Sequence, residues 1–380
     1  MRIGINVLFW VPNAMGGTQT YSQQLIEGLA ALDTVNDYVV FVNASAAGHL
    51  AIRSPRFRIQ VCGVSGRYRL LRLLWEQFVL PQYVGRLGID VLHSLGYLSP
   101  IAAPAKTVVT IPDMIHYVYP SDVELPKQIL WRILFPLSLR RVDQAIALSN
   151  SVKGELCRLF PWAGPKTVVI GLGVDTRVFN PGRGPERRPA NVPGRFVLSV
   201  ASVSGHKNTE GLIRAFALVS ARMPDVRLVL VGHLRPPYSE RVRRLVEALG
   251  IPERVIFTGW IAEEELIRLY RTAEMLVFPS IYEGFGFPPL EAMACGCPVV
   301  ASNHPPMPEI SGEAALYFDP LDMHQMADTM MAVLSSGETR SRLVHKGQER
   351  VELFRWEEVA SQTLETYYRC SGKPSSTARA

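Results

Sequence analysis

A glycine-rich loop that contains two glutamates, EGFGFPPLE, spans Glu283–Glu291 of the 380-residue chain. It follows a short apolar run, Met275–Phe278, and precedes a predicted helical stretch, Leu290–Cys295, that Gly296 terminates. Gly284 and Gly286 allow the backbone to turn and to approach a ligand closely. Two prolines stand near the first helical position, and backbone amides at a helix start bind anions. We therefore expect a phosphate group at this loop.

The two glutamates require different roles, because the gap between them crosses from a loop into a helix and does not place them on one face. Glu291 lies in the first helical turn, where the helix dipole alone would favour a carboxylate. Its functional alternative is to accept hydrogen bonds from a ribose. Glu283 precedes the glycines, where it is either a solvated loop residue or a ligand contact. We favour the ligand role for both.

A lysine in a second turn could bind the same phosphate group. His206, Lys207 and Asn208 follow the first predicted strand of the C-terminal half and precede a helix. An ammonium group there would stabilise the negative charge of a departing diphosphate. A single lysine at a helix start is more often a surface charge, but the Glu283 loop in the same half favours the diphosphate role.

Two segments of the N-terminal half could also contact a ligand. Gly16 and Gly17, in the segment 13–18, follow the first strand and open a helix that could approach a phosphate, or they form a plain strand-to-helix turn. Asp113 and His116 follow a later strand, and either could hold sugar hydroxyls. A histidine among aromatic residues is more often a packing residue.

The elements that position these residues alternate along the chain. Short β-rich runs are followed by longer helical patterns, which predicts parallel sheets with crossover helices. The predicted strands are Ile3–Leu8, Tyr38–Val42, Ile89–His93, Thr107–Ile111, Gln144–Leu148 and Thr167–Ile170, then Phe196–Val200, Arg227–Val231, Val255–Phe257, Met275–Phe278 and Pro298–Ala301.

A segment rich in proline, glycine and arginine, Asn180–Gly194, divides this alternation. The chain is also longer than the roughly 250 to 300 residues at which a single hydrophobic core usually stops growing. We predict an α/β fold of two doubly wound parallel-sheet domains that face a central cleft at the carboxyl ends of their strands. The predicted boundaries are an N-terminal domain over 1–180, a linker over 181–194, a second domain over 195–355, a final helix over 356–370 and a disordered tail over 371–380.

Composition excludes several classes of protein. No apolar stretch reaches the roughly 18 residues of a membrane-spanning helix. Five scattered cysteines lack CxxC pairs or neighbouring histidines, which argues against a metal site and favours a reducing compartment such as the cytoplasm. The net charge of +6 is spread along the chain, so phosphorylated small molecules or an anionic membrane surface are better partners than nucleic acid.

The densest basic stretch, Arg67–Trp75, interleaves arginines with leucines. Such a helix could lay an amphipathic face on the headgroups of an anionic membrane. The alternative is an ordinary half-buried surface helix.

Together these motifs resemble family four of the retaining glycosyltransferases, and the resemblance covers nearly the whole chain. The Glu283–Glu291 loop with the following EAMACGCPVV is highly specific, whereas the Gly-Gly turn is not. The other matching segments are Gly16-Gly17, WEQFVLP (Trp75–Pro81), GVDTRVFNP (Gly173–Pro181), Lys207, Leu269–Ser302, PEISGEAALYFDP (Pro308–Pro320) and Trp356.

The resemblance implies a GT-B fold, that is, two Rossmann-like domains with the last helix crossing back onto the first, and it implies no cofactor and no divalent metal. It also implies that Glu283 touches the donor sugar, Lys207 the diphosphate and Glu291 the ribose. Backbone amides of Gly286 and Phe287 would meet sugar or phosphate. The predicted site is catalytic Glu283, Lys207 and Asp113; donor-binding Gly16, Gly17, Lys207, Asn208, Gly284, Phe285, Gly286, Phe287, Leu290 and Glu291; and His116 as an acceptor or sugar contact.

Two positions depart from the family pattern. The family usually has an arginine immediately before the lysine, where this chain has His206. It also has a His-Asp pair in the first-domain loop, where this chain has Pro112-Asp113. Because the family's histidine is associated with the 6-hydroxyl of the donor, Pro112 suggests a 6-deoxy donor such as rhamnose, or His116 in place of that histidine.

The predicted activity is retaining transfer of a hexose from a nucleotide-diphosphate sugar to a glycan or lipid-linked glycan. Mannose or rhamnose is favoured as the donor sugar, and glucose remains an option. The expected location is the cytoplasm or the inner face of the cytoplasmic membrane. The alternatives are a nucleotide-sugar epimerase of the same fold and a non-catalytic sugar-binding protein.

Overall fold

A computed structural model describes the chain except residues 13–15, 51, 53, 121–124, 183, 185–188, 190, 191, 235 and 375–380. The chain forms two compact units. The first consists of Met1–Gly173 together with Arg355–Ala380, and the second of Val174–Phe354.

The first unit is built on a seven-stranded sheet whose paired strands all run parallel. Its strands are β1 (Arg2–Asn6), β2 (Asp37–Asn43), β3 (Phe57–Cys62), β4 (Val91–Ser94), β5 (Lys106–Ile111), β6 (Gln144–Ala147) and β7 (Thr167–Val169). The spatial order is β3-β2-β1-β4-β5-β6-β7. The order therefore reverses between β1 and β4, and ligands of open α/β sheets bind at the carboxyl edge beside such a reversal.

The second unit repeats this plan with six parallel strands. They are β8 (Arg195–Val200), β9 (Val226–Val231), β10 (Val255–Gly259), β11 (Met275–Phe278), β12 (Val299–Ser302) and β13 (Ala315–Phe318). Their order is β10-β9-β8-β11-β12-β13, so the reversal lies between β8 and β11.

Helices connect the strands of both sheets. In chain order they are α1 (Gly17–Leu32), α2 (Arg69–Phe78), α3 (Leu80–Arg86), α4 (Ile115–Val118), α5 (Leu125–Arg141), α6 (Asn150–Leu159), α7 (Thr209–Arg222), α8 (Tyr238–Ala248), α9 (Glu263–Thr272), α10 (Phe287–Ala294), α11 (Met307–Ser311), α12 (Met323–Ser335), α13 (Gly337–Val351) and α14 (Trp356–Ser371). None of the described helices is both long and apolar enough to cross a bilayer.

The hydrophobic cores follow from the periodicity of these elements. Leu212, Phe216 and Val219 lie on one face of α7 and pack in the same buried cluster as Leu228 and Leu230 of β9. The strands are apolar along most of their length because helices cover both faces of a parallel sheet.

A buried hydrogen-bond network joins α14 to the first sheet. The Tyr367 hydroxyl lies 2.7 Å from Nδ1 of His93 on β4, and Nε2 of His93 lies 2.8 Å from the Thr110 hydroxyl on β5. The Thr110 hydroxyl is also 2.8 Å from the Tyr21 hydroxyl on α1. Burial lowers the pKa of His93 to about 3, so this imidazole is neutral.

Every predicted strand overlaps a strand of the structure, but β3 and β13 were not predicted. β3 is an edge strand with polar Arg58 and Gln60 and only partial burial, so it lacks a continuous apolar run. β13 is short and follows a glycine turn. Helix α10 begins at Phe287, earlier than the predicted Leu290, because Pro288 and Pro289 fit the first turn.

The boundary between the units lies earlier in the chain than the predicted linker at 181–194. Asn180 accepts hydrogen bonds from Arg271 of α9, at 2.7 Å to its backbone oxygen and 2.9 Å to its side-chain oxygen. Val192 is buried. These contacts attach the described part of that segment to the second unit, while 183, 185–188, 190 and 191 lie outside the described residues.

At the C-terminal end, Arg355–Ala380 groups with the first unit. Ser371, the first residue of the predicted tail, is the last residue of α14 because the helix continues to a left-handed cap at Gly372. The rest of the predicted tail from 375 onward lies outside the described residues.

Candidate functional site

The structure brings Lys207 and Glu283 together at the reversal of the second sheet. Lys207 ends a short 3-10 turn, Gly205–Lys207, after β8, and Glu283 follows the neighbouring β11. Nζ of Lys207 lies 2.5 Å from Oε1 of Glu283. Their side chains are 21% and 12% exposed, so the pair is largely shielded but still accessible. An ammonium and a carboxylate at the carboxyl edge of a parallel sheet form a ready contact for a polar ligand.

The two loops that carry this pair are bonded to each other. The backbone amide of Ile281 donates to the backbone oxygen of His206 at 2.8 Å. Nδ1 of His304 lies 3.1 Å from the backbone oxygen of Ile281, and since a carbonyl only accepts, the imidazole donates there. The position of Lys207 relative to Glu283 is therefore set by main-chain contacts as well as by the ion pair.

Asn208 shapes the turn that presents Lys207. Its backbone is left-handed, with φ of 54°, and its side-chain amide donates to the backbone oxygen of Pro320 at 2.6 Å. A Cβ on Gly211 would lie 2.4 Å from Oδ1 of Asn208, so only glycine leaves room for this side chain. Asn208, predicted to touch a donor, is thus occupied in holding the turn between β8 and α7.

Gly286 sets the start of α10. Its φ of +114° favours glycine, and a Cβ there would lie 2.7 Å from Cε of Met307. Pro288 and Pro289 have no amide hydrogen, so among the first three residues of α10 only Phe287 can donate from its backbone. The anion contact predicted for this helix start is therefore restricted to the amides of Gly286 and Phe287.

Two other predicted donor contacts have buried side chains. Phe285 packs against Phe287 and Phe354, with ring centroids 6.4 Å and 6.0 Å apart. Leu290 is fully buried in α10, and Gly284 is also buried. Phe285 and Leu290 can therefore meet a ligand only through their backbone.

Glu291 lies in α10 under the hydroxyl of Tyr270, which donates to its Oε2 at 2.8 Å. Burial raises the pKa of Glu291 to about 7, the Tyr270 hydrogen bond opposes that rise, and nearby Glu263 adds to it. The pKa of Glu263 is itself raised by burial and by the negative charges of Glu264 and Asp175. The carboxyl of Glu291 is therefore partly neutral near pH 7, and its oxygens can accept hydrogen bonds from hydroxyl groups.

The predicted residues of the first unit lie at the carboxyl edge of its own sheet. Gly16 caps the start of α1 and Gly17 is its first residue; both are exposed, and a Cβ on Gly16 would meet no atom of the described residues within 4 Å. Residues 13–15 of the same turn lie outside the described residues. The described part of the turn leaves open space at a helix start, which suits the approach of a ligand.

Asp113 follows β5, next to the reversal, and is held by a tyrosine. The Tyr97 hydroxyl donates to Oδ2 of Asp113 at 2.7 Å, and the amide of Ile115 donates to Oδ1 at 3.0 Å. Tyr97 follows β4 and has a left-handed backbone, with φ of 59°. Such a conformation is costly for a tyrosine and is a recurrent feature of functional sites.

His116 belongs to an aromatic cluster around Tyr97. Its ring stacks on Trp131, with centroids 4.4 Å apart, and meets the Tyr97 ring edge-on at 5.5 Å. Sequence reasoning missed both Tyr97 and Trp131. Tyr97 could have been found, because Gly96-Tyr97 comes shortly after the predicted strand Ile89–His93, but only the strand order shows that this strand borders the reversal.

Acidic, histidine and cysteine side chains are the groups that could hold a metal ion. Among the residues that the structure describes, no three such side chains are arranged to do so.

Two family models match the chain, and each covers most of one unit. Residues 15–178 match Glycosyltransferase Family 4, and residues 185–350 match Glycosyl transferases group 1. The first match includes the Gly16-Gly17 turn and Asp113, and the second includes Lys207 and the Glu283–Glu291 loop.

Curated relatives have similar assignments. The serotype-specific mannosyltransferase WbdA of Escherichia coli is 30% identical over 365 residues, which are 91% of this chain and 44% of WbdA. The chain thus spans less than half the length of that relative. The D-inositol 3-phosphate glycosyltransferase of Corynebacterium efficiens is 30% identical over 311 residues, which are 74% of this chain and 72% of that protein. Neither name describes an epimerase.

Solved structures share the fold over nearly the whole chain. Sucrose-phosphate synthase from Thermosynechococcus elongatus has a TM-score of 0.78 at 24% identity, covering 97% of this chain and 98% of its own. Anabaena HepE in complex with UDP and glucose has a TM-score of 0.74 at 19% identity, covering 97% and 100%. With two matching family models, a relative covered over most of its length and GT-B neighbours of both units, the chain belongs to glycosyltransferase family 4.

Proposed function

We propose that the chain transfers a hexose from a nucleoside-diphosphate sugar to a glycan or lipid-linked glycan, with retention of the anomeric configuration. The observation that carries this proposal is the Lys207–Glu283 pair, 2.5 Å apart beside the start of α10 and at the reversal of the second sheet. The mannosyltransferase relative supports the reaction class, and HepE, which binds UDP and glucose, supports a nucleotide-sugar donor.

The candidate site residues of the second unit have separate roles in this proposal. Lys207 and the amides of Gly286 and Phe287 bind the diphosphate, and Glu283 binds the donor sugar. Glu291 accepts hydrogen bonds from the ribose hydroxyls. Asn208 holds the turn that carries Lys207, through its bond to Pro320.

The proposed step exchanges one bond at the anomeric carbon for another on the same face of the sugar. The bond from that carbon to the diphosphate oxygen breaks, and a bond to the acceptor oxygen forms. The acceptor hydroxyl gives its proton to the departing phosphate oxygen. Lys207 stabilises the charge that develops on this oxygen, so the step requires no carboxylate nucleophile.

The favoured donor sugar is mannose or rhamnose, with glucose as a further option. The WbdA relative supports mannose. Pro112, which stands where the family has a histidine, supports a 6-deoxy sugar unless His116 takes over the contact with the 6-hydroxyl. Comparing turnover of mannose and rhamnose donors decides between them, and a strong preference for mannose that His116→Ala leaves unchanged would end the rhamnose proposal.

The reaction is proposed to be independent of metal ions and of cofactors, because Lys207 can supply the fixed positive charge at the diphosphate. Activity should then persist in excess chelator, and loss of activity that magnesium restores would contradict this. The proposed location is the cytoplasm, where reduced thiols such as those of Cys62, Cys157, Cys295, Cys297 and Cys370 persist.

A screen of nucleotide sugars tests the donor. A bound donor stabilises the folded protein by mass action, so the true donor should raise the melting temperature above the value with the free sugar. Nuclear magnetic resonance of the product should then show the anomeric configuration of the donor. An inverted product would reject the retaining mechanism.

Lys207→Ala tests the role of the lysine. We expect kcat to fall about a hundredfold or more, the range for removing an electrostatic stabiliser of a transition state. Lys346→Ala is the matched control, because Nζ of Lys346 also pairs with a glutamate, Glu313 at 2.6 Å, on the surface of the same unit. A variant at Lys207 with kcat within about twofold of the wild type would refute the assignment.

A further inference from the structure

Helix α2 exposes a row of large apolar side chains. Leu70, Leu74 and Phe78 recur at every fourth position, with Leu71 beside them, and they are 48% to 69% exposed. The opposite side of the same helix buries Leu73. The helix therefore buries Leu73 on one side and presents large apolar side chains to solvent on the other.

Helix α5 shows the same pattern. Ile129, Ile133 and Leu137 also recur at every fourth position and are 42% to 55% exposed. Phe135 and Leu139 of the same helix are buried. Single exposed leucines are ordinary on a protein surface, but two helices with matching exposed rows are not.

The two helices are neighbours in the first unit. Leu73 of α2 belongs to the same buried cluster as Phe135 and Leu139 of α5. The side-chain amide of Gln77 donates to the backbone oxygen of Ser99 at 3.4 Å, and the Ser138 hydroxyl donates to the same oxygen at 2.8 Å. Because α2 and α5 turn their buried sides to the same loop and core, their apolar rows lie on the outer side of one surface.

The charges around these rows are positive. Arg69 of α2 and Arg132, Arg140 and Arg141 of α5 are exposed. Glu76 is the one acidic residue in the sequences of the two helices, and it is buried, 3.5 Å from Arg72. No exposed acidic side chain of either helix therefore offsets the arginines.

We propose that α2 and α5 form a docking face for an anionic phospholipid bilayer, with Leu70, Leu71, Leu74, Phe78, Ile129, Ile133 and Leu137 entering the headgroup region and the arginines contacting lipid phosphates. Apolar side chains flanked by exposed arginines are the pattern that binds such a surface. A second copy of the chain fits less well, because a two-fold interface would bring the same positive patch face to face with itself. The docking face is independent of which sugar or acceptor the chain uses.

Flotation of the whole chain with vesicles tests the proposal. The wild type should float with vesicles of equal parts phosphatidylglycerol and phosphatidylcholine, and far less with phosphatidylcholine alone. Raising the salt concentration should weaken this binding, because screening shortens the reach of the arginine charges. A wild-type chain that stays with the soluble fraction in phosphatidylglycerol vesicles would overturn the proposal.

The triple variant Leu70→Ser, Leu74→Ser, Phe78→Ser should lower the partition onto anionic vesicles at least about tenfold, because it removes most of the apolar row of α2. Its control is Leu321→Ser with Leu353→Ser, two residues of the second unit that are 72% and 67% exposed. The control should float like the wild type. A triple variant that also floats like the wild type would overturn the proposal.

Arg69→Glu with Arg132→Glu is an independent test by charge. Each reversal should weaken binding about fivefold or more, since a basic residue near an anionic surface contributes about 1 kcal/mol. Arg244→Glu with Arg342→Glu, exposed in the second unit, is the control. Sedimentation equilibrium tests whether a second copy of the chain covers this face instead of lipid. If the wild type is a dimer and the triple variant Leu70→Ser, Leu74→Ser, Phe78→Ser is a monomer, the lipid proposal is overturned.

Discussion

The surroundings of Glu291 in the second unit shift the pKa of its carboxyl. It sits in α10 with the Tyr270 hydroxyl 2.8 Å from its Oε2, and burial raises its pKa from an ordinary 4.5 to about 7. Burial penalises the charged form, and the neighbouring carboxyl of Glu263 penalises it further. The ligand-free protein thus stabilises the neutral form of this carboxyl. In the proposed complex, the same carboxyl accepts hydrogen bonds from the ribose hydroxyls.

This shift makes the stability of the free protein depend on pH. The folded pKa exceeds the unfolded one, so Glu291 contributes stability fully below about pH 4.5, and that contribution is lost as pH rises toward 7. Glu291→Gln keeps a neutral acceptor for Tyr270. Between about pH 5 and about pH 8 the wild type should lose up to about 3 kcal/mol relative to this variant in denaturant unfolding. If the unfolding free energies of the wild type and Glu291→Gln change in parallel with pH, the raised pKa of Glu291 is contradicted. The same holds if Glu253→Gln, at an exposed position, changes the pH dependence equally.

Tyr97 positions the carboxylate of Asp113. Tyr97→Phe removes the hydroxyl that donates to Oδ2 of Asp113 at 2.7 Å and keeps the ring in contact with Trp131. If Asp113 contacts a sugar, kcat should fall about tenfold, the effect of losing one charge-assisted hydrogen bond. The control is Tyr117→Phe, whose hydroxyl donates to the backbone oxygen of Trp131 at 3.3 Å. Equal losses in the two variants would indicate a packing effect.

At the scale of elements, the start of α10 depends on how closely it approaches α11. Gly286 adopts φ of +114° and lies against Met307, the first residue of α11. This close approach allows Phe287 to follow directly as the first helical residue. The same two prolines that fit the helix start also remove amide donors, so the element can bind an anion only at its first residue and its cap.

Gly286→Ala should therefore destabilise the second unit and weaken donor binding. Positive φ alone costs an alanine about 1 to 2 kcal/mol, and the contact with Met307 should add about 1 to 3 kcal/mol. Gly250→Ala separates these effects, because Gly250 has φ of +69° but a Cβ added there would meet no atom within 4 Å. Equal losses of unfolding free energy in the two variants would show that Met307 moves aside freely.

At the scale of the whole molecule, the chain leaves the first unit at Gly173, builds the second, and returns to the first at Arg355. The returning helix α14 packs against α1, where a Cβ on Gly28 would lie 3.1 Å from Cβ of Ala360. The hydroxyl of Tyr367 on this helix forms a hydrogen bond with the buried imidazole of His93. The folding of the first unit thus depends on residues at the far end of the sequence.

Ending the chain after Phe354 should unfold the first unit and spare the second. Hydrogen exchange followed by mass spectrometry should show lost protection in β4 and β5 and retained protection in β8 and β9, because units with separate cores open separately. Ending the chain after Gly372 keeps α14 and should change neither. Retained protection in β4 and β5 without α14 would refute this dependence.

Local patterns predicted much of this protein. The alternation of apolar strands and helices predicted two parallel α/β units, and the glycine loop with its flanking glutamates pointed to the part of the second unit where Lys207 meets Glu283. Strand β3 was not predicted because an edge strand needs no continuous apolar run. The role of Tyr97 was not predicted because it depends on the order of the strands. The unit boundary at Gly173 was not predicted, because the hydrogen bond from Arg271 to Asn180 joins residues far apart in the sequence.

The sequence by itself determined the fold class, the family and the residue types at the candidate site, because helix and strand periodicity and short glycine motifs are local properties of a chain. The tertiary structure decided which of those residues meet. It paired Lys207 with Glu283, placed the Tyr270 hydroxyl on Glu291, held Asp113 with Tyr97 and left the outer rows of α2 and α5 exposed. Such contacts join residues far apart in sequence, and their distances and burial arise only when the sheets order their strands.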